Sequence, residues 1–177
     1  MATVWMSAGC PTGTPTEPPV DPSPASDENY GPLEPEAAAN KSEGERLELI
    51  IPAVEGGSID LAELRGRPVV MVLAETTNPE WPRVVEFLEA LQSQDARAAE
   101  LVLVAADPDP QALDDLIVPW RLGWDPQGAM AARLSVARLP TVFVLDAEGT
   151  IVLVLRGFDG DDPAQVREKL LALGAAR

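Results

Sequence analysis

The chain has no histidine and a single cysteine, Cys10. The first absence removes the commonest general base and the commonest transition-metal ligand together. The second excludes any disulfide or thiol pair within the chain. No apolar run approaches the roughly 18 residues of a membrane span, so no spanning helix is expected. Basic residues are scarce: 13 stand against 29 acids, for a formal charge of −16. Residues 1–45 carry eight acids and one lysine, and the remainder 21 acids and 12 bases, so both parts are acidic. Phosphate backbones are repelled along the whole length, and nucleic acid is not an expected partner. No glycine-rich phosphate loop and no Ser/His/Asp set can be assembled.

What is present fits one domain and a tail. The chain has 177 residues, 46% of them hydrophobic, enough for one full core. Residues 11–45 hold eight of the eighteen prolines, are acidic, and are nearly free of large apolar side chains. Such a segment cannot bury enough surface to offset the entropy of ordering it, so it reads as a disordered linker. At roughly 3.1 Å per residue its greatest reach is on the order of 100 Å.

Just before the linker stands "VWMSAGC". Small residues ahead of a lone cysteine, followed by a polar proline-rich tether, resemble a bacterial lipoprotein signal. Ala8-Gly9-Cys10 matches the end of the lipobox, and the resemblance implies that Cys10 is lipidated. Residues 1–10 are then the end of a signal whose remainder would lie upstream of Met1. Ser7 departs from the usual leucine, only nine residues precede the cysteine, and no basic n-region is present.

The folded domain is expected over 46–177. "RLELIIPAV", the turn "EGG" and "SIDLAELRGRP" predict a β-hairpin and a tight helical turn. "VVMVLA", Val69 to Ala74, is a continuous apolar run of strand length, as for a central strand buried on both faces. The helix after it places Val84, Leu88 and Leu91 on one stripe, with Phe87 beside it. "ELVLVAAD" predicts a second buried strand, with a short helical patch around "PQALDDLIV". Asp125 is expected to cap a helix through "PQGAMAARL". "TVFVLD", "AEG" and "TIVLVLRG" predict an antiparallel hairpin. Asp162-Pro163 opens the last helix as N-cap and first-turn proline. The fold class is α/β, a mixed sheet covered by helices on both faces.

This order, with its local motifs, resembles the thioredoxin-like fold, in the TlpA-like and AhpC/TSA redoxin branch. "IDLAELRGRPVVMVLA" is similar to that family's turn leading into the central strand, and "WDPQGAMAARLSVARLPTVFVLDAEGTIV" to its later half. The likeness covers about Leu47 to Leu173. It implies a three-layer sandwich with an N-terminal β-hairpin extension, and a cis peptide bond at Pro140. Active members start the helix after the central strand with Cys-x-x-Cys. Counting from Gly66 places those positions at Asn78 and Trp81, in "NPEW". Many TlpA-like proteins have a proton-transfer glutamate three residues on; here that position is Val84, and Thr77 replaces the usual preceding tryptophan. Disulfide exchange needs a thiolate and a resolving thiol, which an amide and an indole cannot supply. A peroxidatic cysteine and the copper ligands of related proteins are likewise absent.

"TTNPEWP" also reads as plain helix-start chemistry. Asn78 can cap with Pro79 at the first position, Thr77 and Glu80 can form a capping box, or Pro82 can mark the true start. The functional alternative is a groove of Trp81, Arg138, Leu139 and Pro140, because the resemblance implies that Leu139 backbone pairs with an extended substrate. Trp120 and Trp124 either lie near that groove or pack against the sheet. Asp107, Asp109, Asp114 and Asp115 read as loops and caps, and "DGDD" lacks the spacing of a calcium loop. The function expected is a redox-inactive thioredoxin-like domain with a binding or assembly role, tethered in the cell envelope by Cys10. It would bind a protein or extended peptide and require no cofactor and no metal. The rival expectations are an enzyme, either an oxidoreductase working through another protein's thiols or an unrelated activity on the same frame, and an untethered cytoplasmic binding domain.

Overall fold

The computed structural model describes residues 42–95 and 99–175. Cys10, the expected signal and linker residues 11–41 lie outside them. The order is β1 (Ile50–Pro52), β2 (Ser58–Asp60), β3 (Val69–Ala74), α1 (Trp81–Asp95), β4 (Glu100–Ala105), a 3-10 turn (Pro110–Leu113), β5 (Arg121–Trp124), α2 (Ala129–Arg133), β6 (Thr141–Leu145), β7 (Ile151–Arg156) and α3 (Asp162–Ala175). β1 and β2 form a small antiparallel sheet; the main sheet runs β5-β4-β3-β6-β7. β3 pairs parallel with β4 and antiparallel with β6.

All six residues of β3 are buried, and the strand's period of two sorts them between the faces. Val70, Val72 and Ala74 pack with Val84, Leu88, Phe158 and Val166 of the α1–α3 side. Val69, Met71 and Leu73 pack with Leu47, Ile51, Met130 and Leu134, on the side of the hairpin and α2. The result is the expected mixed sheet between two covering layers. Across the α1–α3 face, Phe87 and Phe158 meet at a centroid distance of 5.3 Å and an interplanar angle of 51°.

Sequence patterning predicts no strand at Arg121–Trp124. Yet Leu122 pairs with Leu103 and Gly123 with Val104, extending the sheet by one parallel strand. A glycine inside a short run weakens the local strand signal. Its value is spatial: a Cβ on Gly123 would stand 2.3 Å from Ile51 Cγ2. The β1–β2 unit bridges β5 there, through Ala53 opposite Gly123 and a Val54 N–H donated to Leu122 O at 3.0 Å.

The boundaries also differ in detail. Gly44 N–H donates to Ile151 O and Ile151 N–H to Glu45 O, each at 2.8 Å, so the sheet edge begins before the expected start at 46. α2 opens after Gly128, whose φ is 64°. Asp125 still serves it from a distance, accepting the Ala131 N–H at 2.9 Å. Asp162 lies inside the first turn of α3, and its carboxylate accepts the Asp159 N–H at 2.8 Å. Burial raises the Asp162 carboxyl above the ordinary 3.8, the hydrogen bond from Asp159 opposes it, and the charges of Asp159 and Asp161 add to the rise.

Gly123→Ala is expected to destabilise the domain by about 1–3 kcal/mol through overpacking against Ile51, read as a lower urea midpoint. For Asp162 the sign follows from its raised value. The folded state holds the proton more readily than the unfolded one, so this carboxyl contributes stability as pH falls towards 3.8 and withdraws it as pH rises. An Asp162→Asn variant should lose that component of the pH dependence in denaturation measured across the carboxylate range.

Candidate functional site

β3 ends at Ala74, and the chain must turn before α1 can start. A buried acid from the neighbouring strand holds that turn. Asp107, 2% exposed, follows β4 and accepts the Thr76 N–H on both carboxylate oxygens, at 3.0 and 3.1 Å. It also accepts the Thr76 hydroxyl at 2.5 Å. Its own carbonyl accepts Trp124 Nε1 at 2.9 Å. One residue therefore ties together the chain ends of β3, β4 and β5. Sequence reading treats Asp107 as a loop or cap acid; its only prior signal is an acid closing an apolar run.

Beyond Thr76 the chain makes two short turns. Asn78 accepts the Glu80 N–H on Oδ1 at 2.9 Å, and its carbonyl accepts the Trp81 N–H at 2.9 Å. The regular helix then opens at Trp81, with Pro82 in the first turn, where a missing N–H is harmless. Of the alternative helix starts, this is the one marked by Pro82. Asn78 supports it as a turn residue three positions ahead of Trp81. Trp81 is half-buried and packs against the α1–α3 core, and Val84 is fully buried in that core.

The facing loop comes from the other half of the chain. The Leu139–Pro140 peptide bond is cis. Thr141 Oγ1 donates to Arg138 O at 2.6 Å, and Gly157 N–H donates to Pro140 O at 2.8 Å. Two side-chain ties cross to the α1 turn. Asn78 Nδ2 donates to Leu139 O at 3.1 Å. Glu80 Oε1 lies 3.8 Å from Arg138 Nη2, while Glu80 Oε2 is buried with no hydrogen-bond partner among the described residues. The Arg138 guanidinium lies over Gly157, whose φ of 86° is a backbone conformation that favours glycine.

The structure thus brings Asn78, Arg138, Leu139 and Pro140 to one seam, with Trp81 at the start of the adjoining helix and Val84 in the core beneath. The Glu80–Arg138 pair was not anticipated from sequence, because nothing local relates residues so far apart. The tryptophans divide. Trp124 joins the Asp107 anchor, whereas Trp120 is buried in the α1–α3 core. Trp120 also lines a separate cavity of about 850 Å³ at the β5 edge, with Val54, Leu116, Ile117 and Leu122. None of Asn78, Trp81, Arg138, Leu139 or Pro140 borders that cavity.

The seam's side chains are an amide, an indole, a guanidinium and a carboxylate. They hold loops and offer polar contacts, and no cysteine lies among the described residues. Replacing Asp107 by Ala strands the Thr76 donors. Hydrogen bonds to a charged group are each worth about 1.5–3 kcal/mol, so a loss in that range is expected in chemical denaturation. Thr76→Val, which keeps the backbone bonds, should cost distinctly less.

The comparisons agree with this architecture. A family model for redoxins matches residues 36–170. No curated protein matches the sequence. A protein from Chlorobium tepidum assigned as a thiol:disulfide interchange protein DsbE superposes with a TM-score of 0.68 at 19% identity, over 75% of this chain and 97% of that one. A secreted Mycobacterium tuberculosis disulfide oxidoreductase homologous to Escherichia coli DsbE gives 0.61 at 20% identity, over 73% and 98%. The exposed lipoprotein thioredoxin of Streptococcus pneumoniae gives 0.58 at 15% identity, over 71% and 99%. At these identities the structures speak for the fold. With a family match spanning most of the chain and the site geometry above, the protein belongs to the redoxin family, on a thioredoxin-like fold.

Proposed function

We propose that this protein is a redox-inactive member of its family, a binding or assembly domain held at a cell-envelope membrane by a lipid on Cys10. The observation that carries the reading is the bonding of Asn78. At the first of the two positions where the family resemblance implies a redox cysteine stands an amide whose donor bonds Leu139 O across the seam and whose acceptor takes the Glu80 N–H within its own turn. Trp81 fills the second position, and fully buried Val84 fills that of the proton-transfer glutamate. A thiolate nucleophile, a resolving thiol and a proton relay are therefore all replaced.

The surface offered to a protein or extended peptide is the seam of Trp81, Arg138, Leu139 and Pro140. The tether rests on Ala8-Gly9-Cys10 and the acidic proline-rich stretch behind it. A similarly folded protein of Streptococcus pneumoniae is an exposed lipoprotein, and that of Mycobacterium tuberculosis is secreted. Among the described residues no helix is long and apolar enough to cross a membrane. A second reading is a thiol-disulfide role exerted through another protein's cysteines, favoured by the oxidoreductases among the similar structures.

The Cys10→Ser protein is expected to show no insulin reduction and no peroxide consumption above background; either activity would overturn the proposed inactivity. In a bacterial host, palmitate labelling that disappears in Cys10→Ser is expected, and labelling that is absent from the unmutated chain would remove the tether.

A further inference from the structure

How a partner could attach at Leu139 depends on which backbone groups the seam leaves open, an inference that rests on reading this loop as a binding edge. An extended peptide added to a backbone edge exchanges hydrogen bonds with both the carbonyl and the N–H of the residue it pairs with. Here the carbonyl half is taken. Asn78 Nδ2 donates to Leu139 O at 3.1 Å, across a sequence separation of 61. The carbonyls on either side are also engaged, Arg138 O by Thr141 Oγ1 and Pro140 O by Gly157 N–H. The Leu139 N–H has no partner among the described residues.

The amide is not free to swing away. Its Oδ1 accepts the Glu80 N–H at 2.9 Å, so both ends of one small planar group are fixed. The Glu80–Arg138 pair crosses the same seam at 3.8 Å. It is partly exposed and adds little by itself.

We propose that Asn78 is a specificity-determining residue of this edge. Its amide stands in for the N–H of an incoming strand, so an extended peptide competes with it for the Leu139 carbonyl. Thiol-family chemistry is thus replaced by an internal hydrogen bond that selects against indiscriminate strand pairing.

The test uses the full chain carrying Cys10→Ser, isotope-labelled for NMR, with acetyl-Thr-Val-Thr-Val-Thr-amide as probe. In the unmutated seam the Asn78 side-chain amide should exchange slowly and show hydrogen-bond coupling to the Leu139 carbonyl carbon. Asn78→Ser keeps an oxygen for the Glu80 N–H but cannot reach Leu139. It should bind the probe about three- to tenfold more tightly, the factor equivalent to one net hydrogen bond. The Leu139 and Thr141 amide signals should move on binding. Asn78→Asp, which keeps the acceptor and removes the donor, should behave alike and covers the case of a poorly folded serine variant. Equal affinity in all three proteins, no binding by any, or a freely exchanging Asn78 amide would overturn the proposal. A partner crosslinked from Trp81 in cells, with no response to Asn78→Ser or Asn78→Asp, would leave the binding role standing and overturn only the role of Asn78.

Discussion

Burial of Val69–Ala74 on both faces is the constraint from which the architecture follows. A strand with no polar side needs partners along both edges and a covering layer above and below. β4 and β6 supply the edges, one parallel and one antiparallel. The helices α1 and α3 supply one layer, and the hairpin with α2 supplies the other. The two buried faces are apolar and closely packed, so the central strand places its own C-terminal end reproducibly. Everything assembled there, Thr76, Asn78 and the start of α1, inherits its position from that packing.

At that strand end the chain changes from apolar to polar support. Asp107 satisfies the first turn after β3 from the neighbouring strand, and Trp124 bonds the same residue's carbonyl from the strand beyond. Asn78 then joins the turn to the loop before β6. These bonds are few, but each satisfies a backbone or buried polar group that the exit from a fully buried strand would leave stranded. Under the function proposed, Asn78 and Trp81 stand where active members of the family carry thiols. Here the same geometry is held by an amide bridge and an aromatic packed on the helix layer, which underlies the reading of the domain as a binding module.

Much of the fold was legible because its signals are local. Val69–Ala74, Glu100–Ala105 and the Thr141–Arg156 hairpin announce themselves as apolar runs bounded by turn residues, and the Val84, Leu88, Leu91 stripe announces α1. The strand at Arg121–Trp124 was not legible. Its glycine serves a close approach by Ile51, more than seventy residues earlier in the chain, and nothing in "RLGW" carries that information. Asp125 and Asp162 were recognised as helix-start acids, but the positions of their bonds depend on how the preceding loops fold back. Of the candidate site, the identities of Asn78, Trp81, Arg138, Leu139 and Pro140 were readable through their place in a familiar order of elements. Their mutual bonds were not.

By itself the sequence determined the class of core, the order of the principal elements and the chemistry that residues 46–177 lack. Periodicity and composition are properties of neighbours along the chain, and a missing histidine or thiol stays missing however the chain folds. Only the tertiary structure decided that Asp107 anchors Thr76 across a separation of 31 and that Asn78 occupies the Leu139 carbonyl across one of 61. Such bonds need two distant segments placed to within a few tenths of an ångström. The packing of both faces of the central strand supplies that placement, and no local pattern encodes it.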